Sequence, residues 1–518
     1  MKAQGSMAGS VVTESPTPPA FGAALTRLRE RVAAAPFASS LIVCIALALL
    51  SAAVLPTVPS YDPWSWIVWG REVFDPHLSL VIGGGSSWKP FPVIFTAIYG
   101  LFSGGPTMWV ITERVGALMA FIAAYRLAAQ MTARIGYARW APLAGVIAAF
   151  SLILLQDFAY YFYRGATEPI LVGCALWSVE RLLAGKRWQS FMLGVALGLM
   201  RPEAWPFMIV FAAWLAWKEP TVRVRVGVLA GLAFMPFMWF APPGITTGKW
   251  FSAATQASEY NGHLGSDPFL AVLRRGVDDQ SVPVLVLALI ALAITLYKER
   301  DRVVLAVGAL GAAWWVVVVG ETLDGYPGLE RFFLPGAAIA CVLAGVGVVR
   351  IGALAGELAG RLWRAGGGRA PARVAAVLAA LIAVVVSYHY VDGRVTYARE
   401  QYSLTKTAVR RLNNLNAAVA AVGGHAGVFP CKSPVQSYVA INHSLQTALA
   451  FKLHSTLERV GTVMANEGLY VVGPWDSIDG GPAALNPYFN RIVFLKQVGV
   501  FKIYRVYRAG HLNRCVGI

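Results

Sequence analysis

The chain has 518 residues, of which 57% are hydrophobic and only 14% are charged, and its formal net charge is +17. Soluble globular proteins average about 25% charged residues, so this composition excludes an ordinary soluble domain. The basic residues stand at the ends of apolar runs and do not form one tract, which argues against nucleic acid as a partner and indicates membrane topology.

The N-terminal segment contains no apolar run long enough to cross a bilayer. Residues 1–37 are rich in Ala, Ser, Thr and Pro, and we expect a disordered cytoplasmic segment. Arg27, Arg29 and Arg31 lie just before the first predicted span, at 38–56. A cleaved signal peptide is the alternative, although the leader is long and many spans follow it.

The following 330 or so residues repeat one pattern, an apolar run of roughly bilayer length followed by a short polar connection. Further spans are predicted at 107–130, 138–156, 166–184, 189–201, 203–217, 225–242, 282–297, 302–320, 332–350 and 373–389. The sequence therefore predicts an all-α polytopic membrane domain of about eleven helices over residues 38–389. The short runs at 189–201 and 203–217 could instead form a broken pair that enters from the outer side.

Positive charge gathers at alternate connections. With a cytoplasmic N-terminus, the inner side receives Arg134, Arg139, Arg181, Lys186, Arg187, Lys218, Arg223, Arg225, Lys298, Arg300, Arg302 and the Arg-rich segment 350–373. The outer connections are poorer in Lys and Arg, so the positive-inside rule favours this orientation. The high usage of Ala, Gly, Val and Arg fits a GC-rich bacterium, and we therefore expect a bacterial inner membrane. The segment 390–518 then lies outside the cytoplasm.

Three outer segments, 57–106, 157–168 and 243–281, are too long or too polar to be simple turns. The first contains Trp64, Trp66, Trp69 and Trp88 and predicts amphipathic helices at the interface, with the tryptophans as anchors more readily than as a sugar platform. The third is Gly-rich and polar, and its composition suggests a mobile lid.

The C-terminal segment 390–518 changes character. Residues 399–421 have helical spacing, residues 427–429 and 469–472 have the pattern of buried strands, and 491–508 predicts two strands around a tight turn. An extracytoplasmic α/β domain accounts for this pattern.

The five cysteines fall into two groups. Cys44, Cys174 and Cys341 lie within apolar runs and are predicted to be packing residues. Cys431 and Cys515 lie in the polar C-terminal segment, on the oxidising side, and we predict a disulfide between them, with two free thiols as the alternative. The chain has no C-x-x-C motif or Cys/His cluster, so the sequence predicts no zinc site.

Ionisable residues recur at the outer ends of the spans. Placing an ionisable side chain in a membrane costs free energy, so its presence there indicates a function. The main candidates are Asp62, Lys89, Glu168, Arg201 and Arg331. Secondary candidates beside them are Asp157, Arg164, Glu203 and Glu330. A carboxylate can deprotonate an acceptor hydroxyl, and cations can neutralise a phosphate leaving group. A site at the membrane implies that the phosphate belongs to a lipid.

In order and sidedness, these motifs resemble the GT-C superfamily of polyprenyl-phosphate-sugar-dependent glycosyltransferases, which includes aminoarabinose, protein O-mannosyl and mycobacterial arabinosyl and mannosyl transferases. The resemblance covers roughly residues 38–350. It rests on Asp62, Lys89-Pro90, Glu168-Pro169, Arg-Pro-Glu at 201–203 and Arg-Phe-Phe-Leu-Pro at 331–335. Lys-Pro-Phe-Pro replaces the usual Lys-Pro-Pro-Leu, the second-loop acid is Glu in place of Asp, and Asp62 lacks a paired acid. These departures leave the sugar open.

The resemblance implies an inverting glycosyltransferase with Asp62 as general base, while Glu168 orients the acceptor or shares that role. Lys89, Arg201 and Arg331 would hold the donor phosphate. The implied partners are a polyprenyl-phosphate sugar, with decaprenyl-phosphate arabinose or mannose as leading donors, a glycan or glycolipid acceptor of the cell envelope, and the bilayer. No cofactor is required, although some members use a divalent metal.

Each candidate also has a purely structural alternative. Asp62 could be a helix N-cap, Glu168 could merely begin a helix, and Lys89 and Arg201 could be interfacial anchors. Arg331 could pair with Glu330 or Glu321. For the whole chain, a transporter or flippase is the second hypothesis, but internal repeats and midplane charges, which transporters usually show, are not found. A non-catalytic scaffold is the third.

Overall fold

The computed structural model describes residues 35–75, 78–80, 86–259, 267–362, 370–429, 438–464, 467–473 and 491–507. The helices of the apolar region are α1 Pro36–Val54, α2 Tyr61–Glu72, α3 Pro90–Tyr99, α4 Gly105–Thr132, α5 Ala141–Ile153, α6 Phe158–Arg164, α7 Glu168–Leu183, α8 Arg187–Met200, α9 Trp205–Lys218, α10 Val222–Thr247, α11 Ser252–Glu259, α12 Pro268–Asp279, α13 Val282–Ile294, α14 Arg302–Leu323, α15 Leu334–Leu362 and α16 Ala370–Val386.

Within the described ranges, six helical segments are long and apolar enough to cross a membrane. They are Pro36–Val54, Gly105–Ile153, Val222–Thr247, Val282–Glu299, Arg302–Leu323 and Leu334–Leu362. The second contains both α4 and α5, because the chain bends at Gly136, whose φ of 92° is accessible to glycine. Each of the eleven predicted spans coincides with a helix, and those outside the six segments are the shorter helices α7, α8, α9 and α16.

The helix α15 lies at the centre of the apolar region, and α1 lies at its edge. α15 packs against α4, α5, α13, α14 and α16, and 78% of its most apolar window is buried within the chain. Only 11% of the corresponding window of α1 is buried, so α1 presents an apolar face outward. Glycines along α15 permit these close helix contacts, as is common in membrane bundles.

The C-terminal region forms a small α/β domain after one long helix. Its elements are α17 Tyr388–Ala421, α18 Gly424–Val428, β1 Tyr438–Ile441, α19 His443–Lys452, β2 Val460–Gly461, β3 Gly468–Val472, β4 Arg491–Val498 and β5 Phe501–Tyr507. The strand order is β2-β1-β3-β5-β4, with β1 parallel to β2 and β3 and the remaining pairs antiparallel. The predicted strand at 469–472 and the predicted hairpin within 491–508 are confirmed.

Two local predictions are wrong. Residues 427–429 are not a strand, because Gly423 and Gly424 adopt φ values of 92° and 65° and lead into the helical turn α18. The tryptophans of segment 57–106 are not interfacial anchors. Trp64, Trp66, Trp69 and Trp88 are only 1–5% exposed. The first three are covered because α2 packs between the membrane helices and the C-terminal domain, and Trp88 packs on Trp69.

Other predictions fall wholly or partly outside the described residues. Cys431, Cys515 and the residues 1–34 are not described, so the predicted disulfide and the disordered N-terminus stay predictions. The described part of 243–281 is largely helical, in α10, α11 and α12. Cys44, Cys174 and Cys341 are free thiols.

Candidate active site

Four of the five main candidates are followed directly by proline. The pairs are Asp62-Pro63, Lys89-Pro90, Glu168-Pro169 and Arg201-Pro202. Proline disfavours the helical conformation of the residue before it, and both Lys89 (φ −137°, ψ 119°) and Arg201 (φ −147°, ψ 119°) are extended. At the first turn of α2 and α7 proline is tolerated, because the N–H groups there have no partner within the helix.

A buried ion cluster joins three of these candidates. The Glu168 carboxylate lies 3.0 Å from a guanidinium nitrogen of Arg201 and 3.5 Å from Lys89 Nζ. Lys89 Nζ also donates a hydrogen bond to Thr167 Oγ1 at 2.8 Å. All three residues are at most 4% exposed. Lys89 and Arg201 are therefore buried partners of Glu168, and they are not interfacial anchors.

Asp62 lies in the first turn of α2. The N-cap of α2 is Ser60, and the side chain of Asp62 makes no capping hydrogen bond, so Asp62 is not an N-cap. Among the described residues, the Asp62 carboxylate has no ion pair and accepts no hydrogen bond from a side chain. Asp62 is therefore a half-buried carboxylate that faces the cavity.

Arg331 lies in the short helical turn Glu330–Phe332, just before α15. The structure does not place it in an ion pair with a described carboxylate, and its neighbour Glu330 pairs instead with Arg275 at 3.6 Å. The guanidinium lies 5.8 Å from the centre of the Phe332 ring, and the guanidinium of Arg201 lies 4.3 Å from the centre of the same ring. Phe332 thus holds two arginines beside one cavity.

These side chains line a cavity of about 410 Å³ at one end of the membrane helices. All five main candidates line it, together with Asp157 and Glu330. Asp157 accepts a hydrogen bond from the Tyr397 hydroxyl of α17. Of the other secondary candidates, Arg164 does not line the cavity, although its carbonyl accepts a hydrogen bond from the Ser60 N–H at 2.8 Å. Glu203 lies behind the wall, 3.8 Å from Arg201.

Burial and neighbouring charge act differently on the two cations that lie outside the membrane spans. Burial lowers the pKa of Lys89 to about 8, although Glu168 opposes the shift. Burial also disfavours the charge of Arg331, but Glu168 and Asp62 raise its pKa above the usual value. Arg331 is thus a permanent cation, whereas Lys89 can lose its proton in mildly alkaline solution.

The structure adds cavity residues that the sequence analysis missed. The imidazole of His443, at the start of α19, stacks on the Tyr61 ring with centroids 3.9 Å apart, and both residues line the cavity. Trp66 forms a further wall and lies 5.2 Å from Lys89 Nζ. His443 does not stand at a spacing typical of metal ligands, so nothing in the sequence singled it out. For Tyr61, the only indication in the sequence was its position next to Asp62. The C-terminal domain thus forms part of the cavity wall.

A cluster of three or more His, Cys, Asp or Glu side chains suited to a metal ion does not occur among the described residues. The acidic and basic side chains at the cavity instead pair with each other or face the open volume.

The chain matches no protein-family model and no curated protein sequence. It is similar in structure to ArnT from Cupriavidus metallidurans bound to undecaprenyl phosphate, with a TM-score of 0.51 and 14% identity over 94% of this chain and 100% of that one. An oligosaccharyltransferase from Archaeoglobus fulgidus gives a TM-score of 0.47 at 13% identity, covering 90% of this chain and 74% of that one. The likeness to ArnT shows that the two chains share a fold, that of a polytopic membrane protein with a C-terminal α/β domain.

Proposed function

We propose that this protein is an inverting glycosyltransferase that moves a sugar from a polyprenyl-phosphate donor to a hydroxyl group of a cell-envelope acceptor. The observation that carries the proposal is a single cavity in which Asp62 and Glu168 face three cations. The undecaprenyl phosphate bound to the similar ArnT structure supports a polyprenyl-phosphate ligand. Decaprenyl-phosphate arabinose and mannose are the first donors to test.

The proposed orientation places the cavity at the outer face of a bacterial inner membrane. The N-terminus and the basic segment 350–373 would lie in the cytoplasm, and residues 390–518 would lie outside. The distribution of Lys and Arg between alternate connections supports this orientation. The donor lipid would then reach the cavity from the outer leaflet.

Asp62 is the proposed general base. The attacking hydroxyl must lose its proton as it bonds to the anomeric carbon, and a carboxylate that faces open volume can accept that proton. Asp62 meets this requirement, because its carboxylate faces the cavity. Glu168 is held by Lys89 and Arg201, which favours an orienting role for it.

The three cations are the proposed phosphate site. Glu168 fixes Lys89 and Arg201 in place, so little motion is needed when a phosphate arrives. Arg331 can offer its guanidinium in the bidentate geometry that suits a phosphate. As the acceptor oxygen bonds to the anomeric carbon, the bond from that carbon to the phosphate oxygen breaks. The electron pair leaves with polyprenyl phosphate, and the proton passes to Asp62.

The first prediction concerns the base. Asp62→Asn keeps the size of the side chain but removes its ability to accept the proton, so single-turnover transfer should fall by about 10²–10⁴-fold. Binding of the donor should persist.

Arg331→Ala should weaken donor binding as well as transfer, because the guanidinium would contact the phosphate in both the ground and transition states. Transfer and donor affinity are measured for each variant in nanodiscs.

Asp392→Asn is the matched control, because Asp392 is an exposed residue of α17 away from the cavity. It should transfer sugar at the rate of the unmodified chain. Near-normal turnover by Asp62→Asn would rule out Asp62 as the base and make Glu168 the leading candidate. Absence of transfer and of donor binding in the unmodified chain, across polyprenyl-phosphate sugars, would reject the proposed function itself.

A further inference from the structure

A second groove lies outside the active site, between α17 and the outer ends of α1 and α4. It encloses about 750 Å³, and neither Asp62 nor any other main candidate lines it. Leu55 and Pro56 at the end of α1 and Thr107 at the start of α4 form its floor, and Tyr402, Lys406 and Arg410 of α17 form its wall. These α17 residues are spaced by four, so they share one face of the helix.

The wall of this groove is basic. Lys406 and Arg410 are exposed, and neither forms an ion pair with a carboxylate in the described part of the chain. The described contact of Arg410 is a hydrogen bond to Thr407 Oγ1 at 3.2 Å, and Lys406 Nζ lies 5.5 Å from the centre of the Tyr402 ring. Both cations can therefore bind an anion without breaking a salt bridge.

The floor of the groove continues into an apolar surface. Leu50 and Val54 of α1 are 60% and 66% exposed, on a helix of which little is buried against the rest of the chain. The groove lies close to the level of the active site, because Pro56 is only four residues from Ser60, which lines that cavity. A molecule in the groove would therefore meet charge and hydroxyl groups at the membrane surface and an apolar face below it.

We propose that this groove binds an anionic phospholipid of the outer leaflet. The headgroup phosphate would lie between Lys406 and Arg410, near the hydroxyl groups of Thr57 and Thr107, with an acyl chain along α1. The combination of paired basic residues with an adjoining lipid-facing surface favours a phospholipid over a soluble anion. The lipid would fix α17, and with it the C-terminal domain, relative to the bilayer. This role does not depend on the proposed sugar transfer.

The test compares lipids that differ in net charge. Phosphatidylglycerol and phosphatidylcholine are titrated separately against the full chain in detergent, and bound lipid is counted by native mass spectrometry. The unmodified chain should bind phosphatidylglycerol more tightly. In K406A/R410A this preference should fall by about 30-fold, since each basic residue near the membrane surface contributes about fivefold. K406R/R410K should retain the preference.

The charge-matched control is K496A/K502A, which removes two exposed lysines from the sheet and should leave lipid binding unchanged. A K406A/R410A variant that elutes as a single folded species and keeps the full preference would overturn the proposal. Equal binding of both lipids by the unmodified chain would do so as well. Displacement of phosphatidylglycerol by millimolar glycerol phosphate would indicate a site for soluble anions and would also overturn it.

Discussion

The charge of Lys89 depends on pH in the mildly alkaline range. Its amine is buried, it is held by Glu168 and Thr167, and burial lowers its pKa to about 8. Below that pH Lys89 is a cation that attracts a phosphate. Above it the amine is neutral, and the attraction to both the phosphate and Glu168 is lost.

We therefore predict that affinity for polyprenyl phosphate declines as the pH rises through about 8. Lys89→Arg should retain affinity to higher pH, because a guanidinium keeps its proton throughout this range. Binding is measured by titration of lipid phosphate in nanodiscs between about pH 6.5 and 9.5. Lys218→Arg, at the end of α9 and away from the cavity, is the matched control. Identical pH profiles for Lys89→Arg and the unmodified chain would show that Lys89 does not control the decline.

The charged residues of the cavity could be predicted from the sequence, but the ion pairs between them could not. Asp62, Lys89, Glu168, Arg201 and Arg331 were singled out by their positions at span ends, and all five line the cavity. Nothing in the spacing of Lys89 and Glu168 shows that their side chains meet, because that contact depends on how the fold brings the starts of α3 and α7 together. His443 was missed for a similar reason, since it reaches the cavity from a different domain.

Close packing of α2 against α3 sets the distance between the proposed base and the first cation. A Cβ atom added to Gly70 would lie 2.3 Å from the carbonyl carbon of Thr96, and Thr96 Oγ1 donates a hydrogen bond to the Trp66 carbonyl at 2.7 Å. Asp62 lies in the first turn of α2, and Lys89 lies directly before α3. The glycine therefore permits the approach on which the site geometry depends.

Gly70→Ala should push α2 away from α3, destabilise the chain by about 1–3 kcal/mol and reduce transfer. Thermal unfolding and single-turnover assays measure both effects. Gly393→Ala is the control, because a Cβ there meets no atom within 4 Å and alanine favours the helix α17. If Gly70→Ala keeps full stability and activity, the two helices can move apart without loss of either.

The pattern of apolar residues predicted the positions of the helices better than it predicted what packs against them. Every predicted span coincides with a helix, because each run had to satisfy its backbone within the bilayer. The tryptophans of α2 were assigned to the interface because their pattern alone does not show that a domain will cover them. Trp64 contacts Phe451 of that domain, with ring centroids 5.3 Å apart.

The C-terminal domain docks on α2, the helix that carries Asp62. Tyr61 Oη donates a hydrogen bond to Gln446 at 2.8 Å, and Thr447 Oγ1 donates one to the Tyr61 carbonyl at 2.9 Å. At the other end of α2, Arg71 donates hydrogen bonds to the carbonyls of Phe451 and Ser455 at 3.2 and 2.8 Å. The domain therefore holds both ends of the helix that carries Asp62.

Glu72, at the end of α2, should make this docking pH-dependent. Burial raises the pKa of Glu72 to about 7, opposed by Arg71 and reinforced by Asp75 and Glu458. Because the folded-state pKa exceeds the unfolded value of about 4.3, the folded chain binds a proton that the unfolded chain releases. This contribution to stability is complete below the unfolded pKa and is lost as the pH rises through about 7.

Glu72→Gln imitates the protonated side chain, so it should remove most of this dependence. Above about pH 7 the variant should be the more stable of the two, by up to about 3 kcal/mol, less what the lost contact with Arg71 contributes. Thermal unfolding and limited proteolysis between about pH 5 and 8 measure the effect, with Glu400→Gln, an exposed residue of α17, as the control. Since α2 carries Asp62, loosening of the domain at high pH should also lower transfer in the unmodified chain more than in Glu72→Gln. Parallel stability profiles for the two chains would show that Glu72 is charged throughout and that docking does not depend on its proton.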